Sequence, residues 1–147
     1  KVTGWTQKNY DQKAIDPSAP IDHFEKYLYD DEYIKVGHNI LGFDVYMHGI
    51  CRRLLGKKPD YSYIDSMVDT LCLSRGINND IKINRKEDLL QWQYKMLSLR
   101  KSKGRNRLVD LCKQYDISFD PKKLHNALYD IQKNYDVFKK LIWNIEV

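Results

Sequence analysis

Tyr33-Ile34-Lys35-Val36-Gly37-His38-Asn39-Ile40-Leu41-Gly42-Phe43-Asp44 is the stretch that decides the fold. Its first part, a β-branched and aromatic run behind the acidic Asp30-Asp31-Glu32, reads as a strand over 33–37. From about Gly42 to Leu55 the apolar residues Phe43, Tyr46, Met47, Ile50, Leu54 and Leu55 recur at helical spacing, and Gly56 with Pro59 marks the stop. A strand feeding a helix through a short turn is the repeating unit of an α/β layer fold.

The same reading extends both ways. Upstream, the loop Asp16-Pro17-Ser18-Ala19-Pro20 precedes Ile21, Phe24, Tyr27 and Leu28, which make a short amphipathic helix over 20–30. Downstream, a second strand is expected around 61–64, and Val68-Asp69-Thr70-Leu71 enters a helix ending near Arg75. Asp69 with Thr70 has the chemistry of a helix cap. Further helices are expected over 87–99 and 108–115, and the last over 126–145 with Leu128, Ile131, Tyr135, Phe138 and Leu141 facing inward. Only two or three strands emerge, whereas a sheet covered by this many helices has about five. Helices 20–30, 42–55 and 126–145 thus lack the sheet face that they need.

Composition agrees with one domain: 147 residues, 42% hydrophobic and 31% charged. No apolar run reaches the roughly 18 residues of a membrane span, and no secretory pattern opens the chain. Cys51, Cys72 and Cys112 are far apart and lie among apolar neighbours, which implies a reducing, cytoplasmic compartment. His48 and Cys51 share a helix face, but without a second closely spaced pair they do not amount to a zinc site. The net charge of +5 is modest, yet the segment 82–107 holds nine Lys or Arg against only Glu87 and Asp88. Such local concentration of positive charge points to a phosphate-bearing partner.

Far from the opening stretch, His125-Asn126-Ala127-Leu128-Tyr129-Asp130 provides a histidine and a carboxylate around a helix start. Positions five apart on a helix sit about 140° from one another, so His125 and Asp130 converge only if His125 lies on the loop ahead, which Pro121-Lys122-Lys123 favours. Asp44 falls in the first turn of its own helix, where the dipole favours an ionised carboxylate. One imidazole and two carboxylates are the parts needed to hold a divalent metal and deprotonate a water beside a phosphodiester.

Asn39-x-x-x-Phe43-Asp44 and His125-x-Ala127-x-x-Asp130 resemble the second and third motifs of the DnaQ-like 3′–5′ exonucleases, in the branch whose third motif carries His. The likeness runs through Thr3-Gly4-Trp5-Thr6, Val68-Asp69-Thr70-Leu71 and Leu108-Val109-Asp110-Leu111-Cys112, and leaves an insertion between about Ile77 and Lys103. The resemblance implies an RNase H-like fold with a central mixed sheet flanked by helices. It further implies that Asp44 and Asp130 bind Mg²⁺ or Mn²⁺, that His125 is the general base, and that mononucleotides leave a nucleic-acid 3′ end by a two-metal mechanism. Asn39, near substrate in such a site, shapes with Phe43 the turn from strand to helix. Arg100, Lys101, Lys103, Arg105 and Arg107 become candidate phosphate contacts, and Trp92 or Tyr94 a candidate stacking platform, although periodicity places Trp92 in the core.

The family's first motif, Asp-x-Glu on an opening strand, has no counterpart; Asp30-Asp31-Glu32 is a loop and lies downstream of Thr3 to Thr6. Two divalent cations about 4 Å apart repel by roughly 17 kcal/mol at an effective dielectric of about 20, and two carboxylates leave half of their charge unanswered. Because Lys1 reads as an internal position, the expectation is the carboxy-terminal part of a larger domain, completed by an upstream segment or by another chain. Single-stranded DNA is the expected substrate, as in proofreading or repair. An RNA 3′-end trimmer, or an inactive nucleic-acid-binding or polymerase-associated module, is the alternative.

Overall fold

The computed structural model describes residues 6–84 and 86–144. At its centre lie two parallel strands, β1 (Lys35–Gly37) and β2 (Met67–Asp69), registered Lys35 to Met67, Val36 to Val68 and Gly37 to Asp69. Parallel pairing requires a crossover, and α3 (Val45–Leu54) supplies it. The other helices are α1 (Gln7–Lys13), α2 (Ser18–Leu28), α4 (Thr70–Asn79), α5 (Leu89–Ser98), α6 (Leu108–Gln114) and α7 (Ala127–Ile142). The class is α/β, rich in helix.

The two faces of β2 separate two cores, because successive strand residues point opposite ways. Met67 joins Leu28, Leu41, Val45 and Tyr63 on one side, whereas Val68 packs against Cys72, Leu111, Val137 and Leu141 on the other. Leu97 of α5 touches both clusters, so α5 belongs to the fold. Trp92 is 4% exposed, in agreement with its periodicity, and a Cβ at Gly76 would stand 2.4 Å from its Cζ2. Glycine there lets the indole ring lie against α4.

Several boundaries differ from expectation. No strand forms over 61–64: Asp60 Oδ1 takes the Ser62 N–H, and the chain winds through a 3₁₀ turn, Ile64–Ser66, before β2. Burying the Tyr63 ring favours this turn over an extended edge. Val68 and Asp69 consequently belong to the strand, and α4 starts at Thr70. That helix runs past Arg75 to Asn79 because Asp80, in the left-handed region at φ 55°, closes it with bonds to Gly76 and Ile77 carbonyls. Helix 42–55 divides into a π-helical turn, Ile40–Asp44, followed by α3. The Thr3–Trp5 stretch and Ile145 lie outside the described residues.

The largest departure concerns α7. Leu128, Ile131 and Tyr135 do not face inward; they are 67%, 65% and 58% exposed, while Asn134, Val137 and Leu141 are buried. Phe24, Tyr27 and Phe43, around α2 and the π-turn, are also largely exposed. The physical reason is the width of the sheet, which ends at β1 with no third strand pairing among the described residues. The other edge is closed differently. Gln93 of α5, fully buried, accepts the Asp69 N–H at 2.6 Å and donates to the Met67 carbonyl at 3.0 Å, acting as a strand would.

Candidate functional site

The π-turn that follows β1 is held in place by one carboxylate. Asp69, fully buried at the end of β2, accepts the N–H groups of Asn39 at 2.8 Å and Leu41 at 3.1 Å, and caps α4 through the Leu71 N–H at 2.9 Å. Burial pushes its carboxyl above the usual carboxylate range, against the pull of these bonds and one from Cys72. Asn39 itself sits in the left-handed region at φ 61°, which asparagine tolerates better than most residues. Its side-chain oxygen covers Gly42, where a Cβ would come within 2.4 Å. Asn39 therefore shapes this turn, as the sequence implied.

Asp44 closes the turn and faces solvent. It borders an apolar cavity of about 320 Å³ walled by Phe24, Val36 and Tyr63 among others, and partial burial raises its carboxyl above the ordinary range. Neighbouring His48 is buried, with Nδ1 2.7 Å from Tyr63 Oη and Nε2 3.1 Å from Glu25. Both ring nitrogens are thus committed, and His48 with Cys51 forms no zinc half-site.

At the other helix start, Asn126 caps α7 through the Tyr129 N–H, and Asp130 lies in its first turn. His125 is on the loop ahead, exposed and left-handed at φ 68°, with its backbone N–H donating to Asp130 Oδ2 at 3.1 Å. The structure thus joins the His125 backbone to the Asp130 carboxylate. Neither is joined to Asp44 by a hydrogen bond or ion pair among the described residues, and no group of three or more His, Cys, Asp or Glu there could hold a metal. The link between the carboxylates is indirect. One turn beyond Asp130, buried Asn134 accepts the Thr70 hydroxyl at 2.7 Å, and Thr70 follows the Asp69 that fixes the Asp44 turn.

The basic loop folds back on α4. Asn106 Oδ1 accepts from Asn78 at 2.8 Å, its Nδ2 donates to Ser102 at 3.0 Å, and Asn79 accepts the Lys103 N–H at 3.0 Å. Arg100, Lys101, Lys103 and Arg105 are exposed and form no ion pair among the described residues. Arg107 differs, holding Asp110 through Nε at 2.6 Å and Nη2 at 3.2 Å. Tyr94 is exposed and Trp92 is not, so only Tyr94 is accessible for stacking.

Sequence reasoning missed the parts played by His38, Gln93 and Arg75. His38 Nδ1 meets Thr70 Oγ1 at 3.0 Å, and burial brings its pKa down to about 4, with Arg75 adding to the shift and a bond to the Asn106 backbone opposing it. A signal existed for Gln93 alone: of the two amides in this helix it is the one that falls on the face of Leu89 and Met96.

No protein-family model, curated protein or solved structure matches the chain. No helix among the described residues is long and apolar enough to cross a membrane.

Proposed function

We propose that this chain forms most of a DnaQ-like, RNase H-like 3′–5′ exonuclease domain acting on DNA, with Mg²⁺ or Mn²⁺ as cofactor. One observation carries the reading. Two carboxylates have no ion-pair partner among the described residues: Asp44 ends the π-turn that packs against β2, and Asp130 lies in the first turn of α7, which packs against β1 of the same parallel sheet.

Carboxylate oxygens suit Mg²⁺ and Mn²⁺, so the donor type fits although two donors are too few for a pair of ions. The remaining carboxylates would come from a strand pairing with the open edge of β1, upstream in the same protein or in another chain. The outer edge of β2 is already taken by Gln93. Such a strand would also cover Leu128, Ile131 and Phe43, whose exposure is otherwise unexplained. Bound metal would supply an acidified water and a Lewis acid at the phosphodiester. Of this chain's own groups, Asp44 and Asp130 would hold it, and His125, exposed beside Asp130, would take the proton.

The basic loop together with an incomplete donor set favours a second reading, a polymerase-associated or nucleic-acid-binding module without chemistry. Matched DNA and RNA oligonucleotides, labelled at the 5′ end and incubated with the full-length protein and Mn²⁺, separate the readings. Stepwise shortening of DNA supports the proposal; shortening of RNA alone makes the protein an RNA trimmer. A strand bound but left intact favours the module.

A further inference from the structure

Arg75 carries a charge that no carboxylate answers among the described residues. Its Nη1 donates to the Met96 and Leu97 carbonyls, both at 2.9 Å, and its Nε is buried with no acceptor among the described residues. Arg75 is partly buried, and its orphaned Nε–H bears the desolvation of a charged donor with no bond to offset it.

Arg75 forms one wall of a groove of about 490 Å³. Ser102, Asn106, Arg107, His38 and Asn39 also line it. This groove opens where β1 and β2 end at their carboxyl sides, the place where open parallel sheets bind ligands. Part of its lining is fixed beforehand by the bonds of Asn106 and Asn79 to Ser102. Arg100, Lys101, Lys103 and Arg105 belong to the same loop, so the potential around the mouth is positive. His38, with its pKa near 4, contributes no charge at neutral pH.

We propose that this groove is a phosphate-binding site, in which the Arg75 guanidinium donates to one oxygen of a nucleotide phosphate. Arginine presents N–H donors in a planar fork that matches a phosphate oxyanion, and here the Nε edge is left over after Nη1 is used. The same chemistry is offered by a phosphodiester within a strand and by a free nucleoside monophosphate. The phosphodiester rests on the nucleic-acid reading above; the phosphate site itself does not require cleavage.

The test is proton–nitrogen NMR of the arginine Nε–H groups of this chain during titration with inorganic phosphate, thymidine monophosphate and a short oligothymidylate. One signal, absent from Arg75→Gln, is expected to shift downfield, with the oligonucleotide bound most tightly. Arg75→Gln is expected to weaken oligonucleotide binding by about tenfold or more. Should Arg75→Gln unfold, Asn106→Asp keeps the acceptor facing Asn78 and sets a negative charge in the groove, with a similar loss expected. A monophosphate that binds as tightly as the oligonucleotide still supports the site and makes the free nucleotide its occupant. An Arg75 signal that no phosphate moves, or unchanged binding by the variants, overturns it. DNA cleavage by the full-length protein with an unresponsive Arg75 would remove the groove and leave the nuclease; a responsive Arg75 without cleavage would do the reverse.

Discussion

Asp69 and Leu41 are joined by a hydrogen bond of 3.1 Å, from the Leu41 N–H to Asp69 Oδ2, that ties the end of one strand to the turn leaving the other. The same carboxylate takes the Asn39 and Leu71 N–H groups, so one side chain closes β2, starts α4 and sets the path toward Asp44.

Replacing Asp69 by Ala leaves these N–H groups buried without acceptors. The expected cost is about 3–5 kcal/mol, read from the urea midpoint. Asp69→Asn, which keeps one acceptor oxygen, should cost less. An Asp69→Ala variant as stable as the parent would show that the turn holds itself.

His38 makes the fold sensitive to acid. Its folded pKa of about 4 lies below the ordinary 6.5, so the unfolded chain takes up a proton first as the pH falls. Stability from this group is complete above the ordinary value and declines between it and the folded value, by up to about 3 kcal/mol. His38→Gln should flatten that slope in denaturation curves recorded across the window. Equal slopes in parent and variant would contradict the assignment.

Gly76→Ala puts a methyl 2.4 Å from the Trp92 ring and 3.2 Å from the Ile81 carbonyl oxygen. With α4 and α5 both packed around this contact, an overpacking cost of about 1–3 kcal/mol is expected in thermal unfolding. No change in the midpoint would mean that the ring moves freely.

Ile131→Glu distinguishes an exposed face from an uncovered one. In this chain Ile131 is 65% exposed, so the substitution should change stability by no more than about 0.5 kcal/mol. Where the proposed strand pairs with β1, the same substitution would bury a carboxylate and cost about 2 kcal/mol or more. A small effect with the proposed strand present as well would mean that nothing covers α7.

How far the fold could be read from the sequence depended on how local its causes were. The strand before His38, the loop placement of His125, the cap at Asp69 and the core position of Trp92 all follow from near neighbours. The 3₁₀ turn at Ile64 did not, since an alternation of aromatic and polar residues is equally consistent with a strand until Tyr63 finds its partners. The inward face of α7 was right at Phe138 and Leu141 and wrong at Leu128, Ile131 and Tyr135, because that helix is apolar on more than one side and sequence periodicity cannot say which side meets the sheet. Arg75 reads in sequence as an ordinary helix-end cation; its missing acceptor is visible only in three dimensions.

The central claim is that Asp44 and Asp130 act on one phosphodiester. Its most direct test is Mn²⁺-dependent release of nucleoside monophosphates from the 3′ end of a DNA oligonucleotide by the full-length protein, compared with its Asp44→Ala, Asp130→Ala and His125→Ala variants. The account predicts that either aspartate variant abolishes release and that His125→Ala slows it by about 10² to 10⁴ fold. Release at the parental rate by Asp44→Ala or Asp130→Ala would contradict it.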